Sequence, residues 1–199
     1  MKLLINHESM FDKPVGKFVY CYSVWSSHFD ELQSILGDKI EFRKDIPTTQ
    51  EICDFWETYA REVVCICDDQ MHLLDDGVKE SKTLLHIATT LAHHAHFSLF
   101  LTVQNLFYGS KMPRCLSLNC HYFCLFRNHR SLDQIRRFSQ QTMPGQIAYF
   151  MQSFAKATTE NYSYLFVDLA PHSDQRYKLK TGIFPTDKLR VFLPGSTSK

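Results

Sequence analysis

Two adjacent aspartates directly follow an apolar run in the first half of the chain, where Val63-Val64-Cys65-Ile66-Cys67 leads into Asp68 and Asp69. In open α/β sheets, ligands bind beyond the carboxyl ends of the strands, so a buried strand here delivers both carboxylates to that place. One carboxylate can hold Mg²⁺ through water, and the other can orient or deprotonate an attacking water. Taken alone, the segment fits an ordinary aspartate-capped turn as well as it fits a magnesium–nucleotide site.

A second apolar run ends in polar side chains, because residues 99–103 lead into Gln104 and Asn105. A side-chain amide at a strand end can contact a γ-phosphate or position an attacking water. By itself this pattern is better explained as an ordinary polar strand end. Because parallel strands end at the same edge of a sheet, we expect Gln104 to lie beside Asp68 and Asp69.

The elements that position these side chains follow from hydrophobic patterning. Five runs that are almost continuously apolar predict strands covered on both faces, as in a parallel sheet; they are residues 18–22, 63–67, 97–103, 122–126 and 164–167. Between them lie helical patterns, which begin with Ser27 as a cap, at the capping box Thr48–Glu51, at Ser81, at Ser131 and after Pro144-Gly145. This alternation predicts a three-layer α/β/α fold with a mostly parallel sheet.

Composition narrows the class of protein. The chain has 199 residues, which favours one domain, and its net charge of +1 implies no strong field for polyanions. No run approaches the roughly 20 apolar residues of a membrane helix, and Asn6-His7-Glu8 ends the first apolar stretch too early for a secretory signal. Several of the seven cysteines lie in apolar runs, which indicates a reducing intracellular compartment, either nucleus or cytoplasm.

The same elements make the chain resemble a known family. It is similar to the packaging ATPases of poxviruses and related large DNA viruses and of the virus-like Polinton (Maverick) transposons, which belong to the FtsK–HerA branch of P-loop ATPases. The transposon-borne members are the most similar. The resemblance spans roughly residues 10–186 in the same order, and is carried by residues 20–25, 67–71, His93-His94, 100–107, 117–122, 125–128, 164–169 and 179–185.

The resemblance implies roles for the two strand ends. Asp68 matches the Walker B carboxylate that holds magnesium, and Asp69 matches its catalytic acidic neighbour. Gln104, with Asn105 beside it, matches the polar sensor after the fourth strand. The complete family form binds ATP with Mg²⁺, acts on double-stranded DNA and forms a homo-oligomeric ring without contact to a membrane.

Ring motors of this type also use an arginine finger that acts across subunits. The candidates are Arg114, Arg127 and Arg130, and the sequence does not choose among them. Arg136 and Arg137 are better explained as a solvated helix face. DNA as a partner is implied by the resemblance and not by the charge pattern.

The family's phosphate-binding loop, G-x-x-x-x-G-K-[ST], has no match in this sequence. Gly16-Lys17 comes nearest, but no glycine lies five residues before Gly16, and Phe18 follows the lysine. We therefore expect that the family's first strand and its loop are missing, and that residues 2–10 are the remainder of the helix that follows the loop. We also expect that this chain alone retains neither Mg²⁺ nor ATP. The sequence predicts an incomplete ATPase core over residues 1–190 and a disordered tail over residues 191–199. It also predicts a surface loop at residues 110–113.

Three origins fit an incomplete core: a truncated gene, a decayed transposon copy, or a subunit completed by another chain. The first functional alternative is accordingly a non-catalytic remnant or scaffold with the same fold. The second is a metal-stabilised binding domain with zinc on one of two clusters, which are His86, His93, His94 and His96, and Cys115, Cys120, His121 and Cys124. Core thiols explain these cysteines better, since there is no C-x-x-C pair and His121 and Cys124 point to opposite faces of a strand. A serine or cysteine hydrolase is disfavoured because the chain has no G-x-S-x-G motif.

Overall fold

A computed structural model describes residues 1–59, 61–70, 79–92, 97–105, 111–128 and 130–194. The chain divides into two compact units, Met1–Asn119 and Cys120–Lys199, whereas its length alone favours one domain. Among the described residues, every helix is too short or too polar to cross a bilayer.

The first unit is built on a four-stranded parallel sheet. Its strands are β1 (Val15–Tyr22), β2 (Ile40–Arg43), β3 (Glu62–Asp68) and β4 (Phe97–Leu101). Their order is β2-β1-β3-β4, and each neighbouring pair is parallel. The strand that ends in the aspartates, β3, therefore lies inside the sheet, between β1 and β4. The predicted α/β class with a mostly parallel sheet is confirmed.

The first unit also contains helices before, between and after these strands. They are α1 (Lys2–Ile5), α2 (His7–Met10), α3 (Ser27–Leu36), α4 (Thr49–Tyr59), α5 (Lys79–His86), which continues as a π-helical turn over Ile87–Leu91, and α6 (Lys111–Asn119). The loop predicted at 110–113 is wrong for its last three residues, which open α6; Ser110 lies outside the described residues. Pro113 is tolerated there because the first turn of a helix needs no backbone N–H from it.

The two faces of this sheet pack on different helices. Successive side chains of a strand point to opposite faces. On one face Phe18 and Val64 pack in a buried cluster with Leu32 of α3. On the other face Val19 and Cys65 share a buried cluster with residues of α4 and α5. The first unit thus has three layers, and the continuously apolar sequence of β3 follows from burial on both sides.

The predicted capping box is present at the start of α4. The Glu51 backbone N–H donates to Thr48 Oγ1 at 3.2 Å, and the Thr48 backbone N–H donates to Glu51 Oε2 at 2.7 Å. Arg43, at the end of β2, adds an ion pair of 2.8 Å to Glu51 Oε1. The hydrogen bonds from Arg43 and Thr48 lower the pKa of Glu51. The cap predicted one helix earlier lies one residue away, since Ser26 and not Ser27 accepts from the His28 N–H.

The second unit contains an antiparallel sheet. Its strands are β5 (Tyr122–Phe126), β6 (Tyr164–Asp168), β7 (Leu179–Thr181) and β8 (Arg190–Phe192) in that order, and its helices are α7 (Leu132–Thr142) and α8 (Ile147–Ala157). The strands predicted at 122–126 and 164–167 form, but their expected parallel pairing is wrong, because they pair antiparallel with each other. In β5 the side chains alternate: Phe123 and Leu125 are buried, and Tyr122 and Phe126 are exposed. Alternation of this kind is typical of antiparallel sheets with one covered face.

The predicted disordered tail begins too early. Val191 pairs with Lys180 in the β7–β8 ladder, and Tyr149 Oη donates to the Phe192 carbonyl at 2.7 Å. Residues 191 and 192 are therefore part of the sheet. Residues 195–199 lie outside the described residues.

Candidate active site at the carboxyl edge of the parallel sheet

Asp68 is the last residue of β3 and lies at the carboxyl edge of the parallel sheet. It is paired in register with Tyr22, the last residue of β1. Asp69 follows with a left-handed backbone, φ 53°, which turns the chain away from the strand. Aspartate adopts this conformation more readily than most non-glycine residues. The predicted position of both aspartates at this edge is confirmed.

The Asp68 carboxylate is held by two neutral hydroxyl groups. Tyr20 Oη donates to Oδ2 at 2.8 Å, and Thr102 Oγ1 donates to Oδ1 at 2.6 Å. The ion pairs between described residues include none with Asp68 or Asp69. Asp68 is thus fixed in orientation while its charge is not neutralised by these contacts. A carboxylate in that state is suited to accept a cation from solvent.

Tyr20 remains a hydrogen-bond donor over the whole physiological pH range. Burial, followed by its hydrogen bond to Asp68, raises the pKa of Tyr20 above its ordinary value. Both effects disfavour the phenolate, the first by desolvation and the second by hydrogen bonding of the neutral form to an anion. Tyr20 therefore adds no negative charge beside Asp68.

Gln104 lies beside Asp69, as the two strand ends predict. Gln104 Nε2 donates to Asp69 Oδ1 at 3.0 Å. The Asp69 N–H donates to Thr102 Oγ1 at 3.0 Å, and Ser23 Oγ donates to the Asp69 carbonyl at 2.8 Å. Thr102 consequently bridges the two aspartates, since it accepts from the backbone of Asp69 and donates to the side chain of Asp68. The predicted proximity is confirmed, whereas the catalytic roles remain predictions.

A cavity of about 270 Å³ opens next to the aspartates on the β1 side. Its lining includes Tyr20, Tyr22, Ser23, Phe29, Asp68 and Asp69. Pockets for drug-sized ligands begin at about 300 Å³. This cavity therefore has room for a hydrated ion and a few waters and lies just below the usual size range of ligand pockets.

Sequence reasoning missed Tyr20, Ser23 and Thr102 as members of the site. No local motif marks them, because their contacts depend on the register between strands that are 34 to 48 residues apart in sequence. A third strand-end amide, Gln70, is buried and donates to the Lys44 carbonyl at 3.3 Å, which holds the chain after Asp69. Asn105 is half-buried and follows Gln104.

The three arginine candidates are not placed at the aspartates by any ion pair of the described residues. Arg114 is exposed on α6 of the first unit. Arg127 and Arg130 are exposed in the segment between β5 and α7 of the second unit. The choice among them as an arginine finger stays open. Arg136 and Arg137 are exposed on α7 next to the buried Ile135 and Phe138, as predicted for a solvated helix face.

Of the two clusters predicted as zinc alternatives, the cysteine cluster divides between the two units, and most of the histidine cluster lies outside the described residues. In the described part of the chain, the one group of three potential ligands within reach of a single ion is Cys21, Cys65 and Cys67. Cys115 lies on α6 of the first unit, whereas Cys120 belongs to the second unit and donates to the Tyr122 carbonyl at 3.3 Å. His93, His94 and His96 lie outside the described residues.

Comparison with solved structures identifies the fold. The structure of the genome packaging NTPase B204 from Sulfolobus turreted icosahedral virus 2, in complex with sulfate, is similar with a TM-score of 0.51 and 11% identity, covering 90% of this chain and 82% of that chain. The DNA-packaging ATPase B204 from Sulfolobus turreted icosahedral virus is similar with a TM-score of 0.53 and 10% identity, covering 96% and 90%. No protein-family model and no curated protein matches the sequence. At these identities the likeness is one of fold: the chain has the α/β fold of a viral packaging ATPase.

Proposed function

We propose that this chain is the core of a DNA-packaging or DNA-translocating ATPase subunit of the FtsK–HerA type, and that it supplies the magnesium and water side of the ATP site. The observation that carries the proposal is the pair Asp68–Asp69 at the carboxyl edge of an interior parallel strand, with Gln104 hydrogen-bonded to Asp69 at 3.0 Å. The fold likeness to viral packaging ATPases supports it. We propose the Polinton-like branch on the resemblance in sequence pattern alone.

In this proposal each side chain has a distinct task. Asp68, oriented by Tyr20 and Thr102, holds Mg²⁺, and the ion supplies positive charge for the phosphates. Asp69 orients or deprotonates the attacking water, and Gln104 fixes Asp69 from the neighbouring strand. Asn105 adds a second amide at the same strand end.

ATP turnover requires more than these groups. The 199 residues contain no G-x-x-x-x-G-K-[ST] pattern, so they offer no organised backbone cradle for the phosphates. Without it, two adjacent carboxylates repel a polyphosphate. We infer that the chain alone hydrolyses no ATP and that the working site forms between subunits of a ring on double-stranded DNA, with an arginine from a neighbouring subunit.

The magnesium role is tested with Mn²⁺ as a paramagnetic probe of the folded chain. The chain alone is not expected to retain a divalent ion, since Mg²⁺-type ions are normally held by carboxylates together with substrate phosphates. The expected signal is therefore transient contact of Mn²⁺ with the aspartates at high ion concentration, which paramagnetic broadening detects. Mn²⁺ broadens the backbone amide NMR signals of residues 67–70 and 102–105 selectively in the unmodified protein, and Asp68→Asn abolishes this broadening. Asp54→Asn, which alters an exposed carboxylate on α4, is the matched control and leaves it intact. Broadening that is absent from these residues, or that survives Asp68→Asn, contradicts the proposed function.

The expected lack of ATPase activity in the isolated chain is tested independently of the Mn²⁺ experiment. Phosphate release from Mg²⁺–ATP by the purified chain is expected to equal the buffer background. Tight ATP binding with turnover that Asp69→Asn abolishes refutes the inactivity but leaves the assignment of the two aspartates standing.

A scaffold subunit with this fold and no nucleotide chemistry is the second candidate, favoured by the missing phosphate-loop pattern. The two candidates differ in the Mn²⁺ experiment, because a scaffold has no reason to bind a divalent ion at Asp68.

A further inference from the structure

Three cysteine thiols meet inside the first unit, outside the aspartate site. Cys21 of β1 is paired in register with Cys67 of β3, and Cys65 lies two residues before Cys67 on the same face of the sheet. The three Sγ atoms all lie within 4.8 Å of one another, and Cys21 Sγ is 4.0 Å from Cys65 Sγ. The side chains are 0–1% exposed.

These separations fit a metal ion better than a disulfide bond. A thiolate binds zinc at about 2.3 Å, so three thiolates arranged trigonally around one ion have sulfurs about 4.0 Å apart. The Cys21–Cys65 separation already has this value, and the other two are no longer than 4.8 Å. A disulfide requires sulfurs about 2.05 Å apart, which is half the observed distance.

The chemistry of the ligands selects the ion. Thiolates favour soft cations such as those of zinc and copper(I), whereas Mg²⁺ favours oxygen. The surroundings are apolar, with Ile52 and Ile87 in the same cluster, so charge left on the site is costly to bury. Three thiolates with a divalent ion carry one net negative charge. Arg43, paired in register with Cys21 from the other side of β1, places a positive charge nearby.

We propose that Cys21, Cys65 and Cys67 form a three-thiolate site for a soft divalent metal ion of the zinc–cadmium type. The bound ion joins β1 to β3 one residue below Asp68. Binding replaces the three thiol protons, which pass to solvent, so affinity falls as pH falls. The sequence signal is Cys-x-Cys at the end of a buried strand with a third cysteine in the neighbouring strand.

Cadmium titration of the reduced chain tests this site. The expected result is a sulfur-to-cadmium charge-transfer absorption that saturates at one ion per chain, together with an X-ray absorption spectrum showing three sulfur ligands. A spectrum without charge transfer overturns the proposal, and so does a coordination shell with fewer than three sulfurs. This measurement needs no variant, so it decides the question even where a core substitution prevents folding.

Alanine variants then locate the site. Cys65→Ala is expected to remove the saturating band, whereas Cys53→Ala on α4 and Cys115→Ala on α6 retain it. Cadmium also raises the thermal midpoint of the unmodified chain and not that of Cys65→Ala, because only a site present in the folded state stabilises it. A band that persists in Cys65→Ala, or is lost in either control, rejects the assignment.

Discussion

Two strands of this protein, one in each unit, end in an aspartate after an apolar run, and the two aspartates are in opposite electrostatic situations. Asp68 ends β3 after Val63–Cys67, and Asp168 ends β6 after Tyr164–Val167. The pattern of an apolar strand that ends in an aspartate does not by itself separate them.

Asp168 is neutralised within its own unit. It is 6% exposed, its Oδ2 lies 2.9 Å from Lys180 Nζ, and its Oδ1 accepts from the Ala170 N–H at 3.2 Å. Burial alone would raise the pKa of Asp168, but hydrogen bonds from Lys180, Ser173 and Ala170 outweigh it and lower this pKa. Its carboxylate is thus a structural group that has no remaining need for a cation.

Asp68 is held by two hydroxyl groups, and the N-terminal ammonium of Met1 interacts with it electrostatically without forming an ion pair among the described residues. Tyr20 and Thr102 orient it without bringing a positive charge. The groups that bind the carboxylate, and not its position at a strand end, therefore separate a structural aspartate from a candidate metal ligand. Four experiments probe this difference, in order of decreasing effect on stability.

Lys180→Met is expected to cause the largest loss. It leaves the buried Asp168 carboxylate without its cation, which costs about 3 kcal/mol, the lower end for a broken buried pair because Lys180 is partly exposed. Urea unfolding followed by the backbone amide NMR signals of Tyr164–Asp168 measures the second unit, because tyrosines occur in both units and both tryptophans, Trp25 and Trp56, lie in the first. Lys156→Met on the exposed face of α8 is the control. Equal stability of the two variants contradicts a structural role for the pair.

Acidification is expected to weaken the same unit to a smaller extent. The folded-state pKa of Asp168 is lowered, so its contribution is complete above the unfolded-state value of about 3.9 and is lost as pH falls through the folded value. The loss is smaller than in Lys180→Met because a protonated Asp168 leaves no buried charge. Unfolding free energies measured between about pH 6 and pH 3 should decline less steeply in Asp168→Asn. If the unfolding free energies of the unmodified chain and of Asp168→Asn decline in parallel with falling pH, the pKa of Asp168 is not lowered by folding.

Tyr20→Phe removes one hydrogen bond to Asp68 and is expected to cost about 1 kcal/mol, below the usual range for bonds to charged groups because the site is half exposed. Tryptophan fluorescence during urea unfolding reports the first unit. Tyr22→Phe, whose hydroxyl has no hydrogen bond to a described residue, is the neighbouring control. A loss confined to Tyr22→Phe would mean that Asp68 is positioned by other contacts.

Sequence patterns predicted the features of this fold that involve residues close together in the chain. The Thr48–Glu51 capping box and the position of Asp68 at a sheet edge need only neighbouring residues to be recognised. The antiparallel pairing of β5 and β6 joins strands that two helices separate in sequence, and the other strands of that sheet, β7 and β8, have only three residues each and carry almost no hydrophobic pattern. The donors to Asp68 were also beyond prediction, because strand register and not sequence distance brings them together.

Asp68→Asn is expected to leave the stability of the first unit unchanged within about 0.5 kcal/mol, the range of substitutions that break no buried contact. The amide oxygen still accepts from Thr102, and the Tyr20 hydroxyl can accept from the new amide N–H, since a hydroxyl is donor and acceptor. Removal of one charge also relieves repulsion from Asp69. Urea unfolding of Asp168→Asn, followed by signals of the second unit, should show a clear loss. If Asp68→Asn instead destabilises its unit as much as Asp168→Asn does, Asp68 is a structural aspartate, and the distinction between the two strand ends fails.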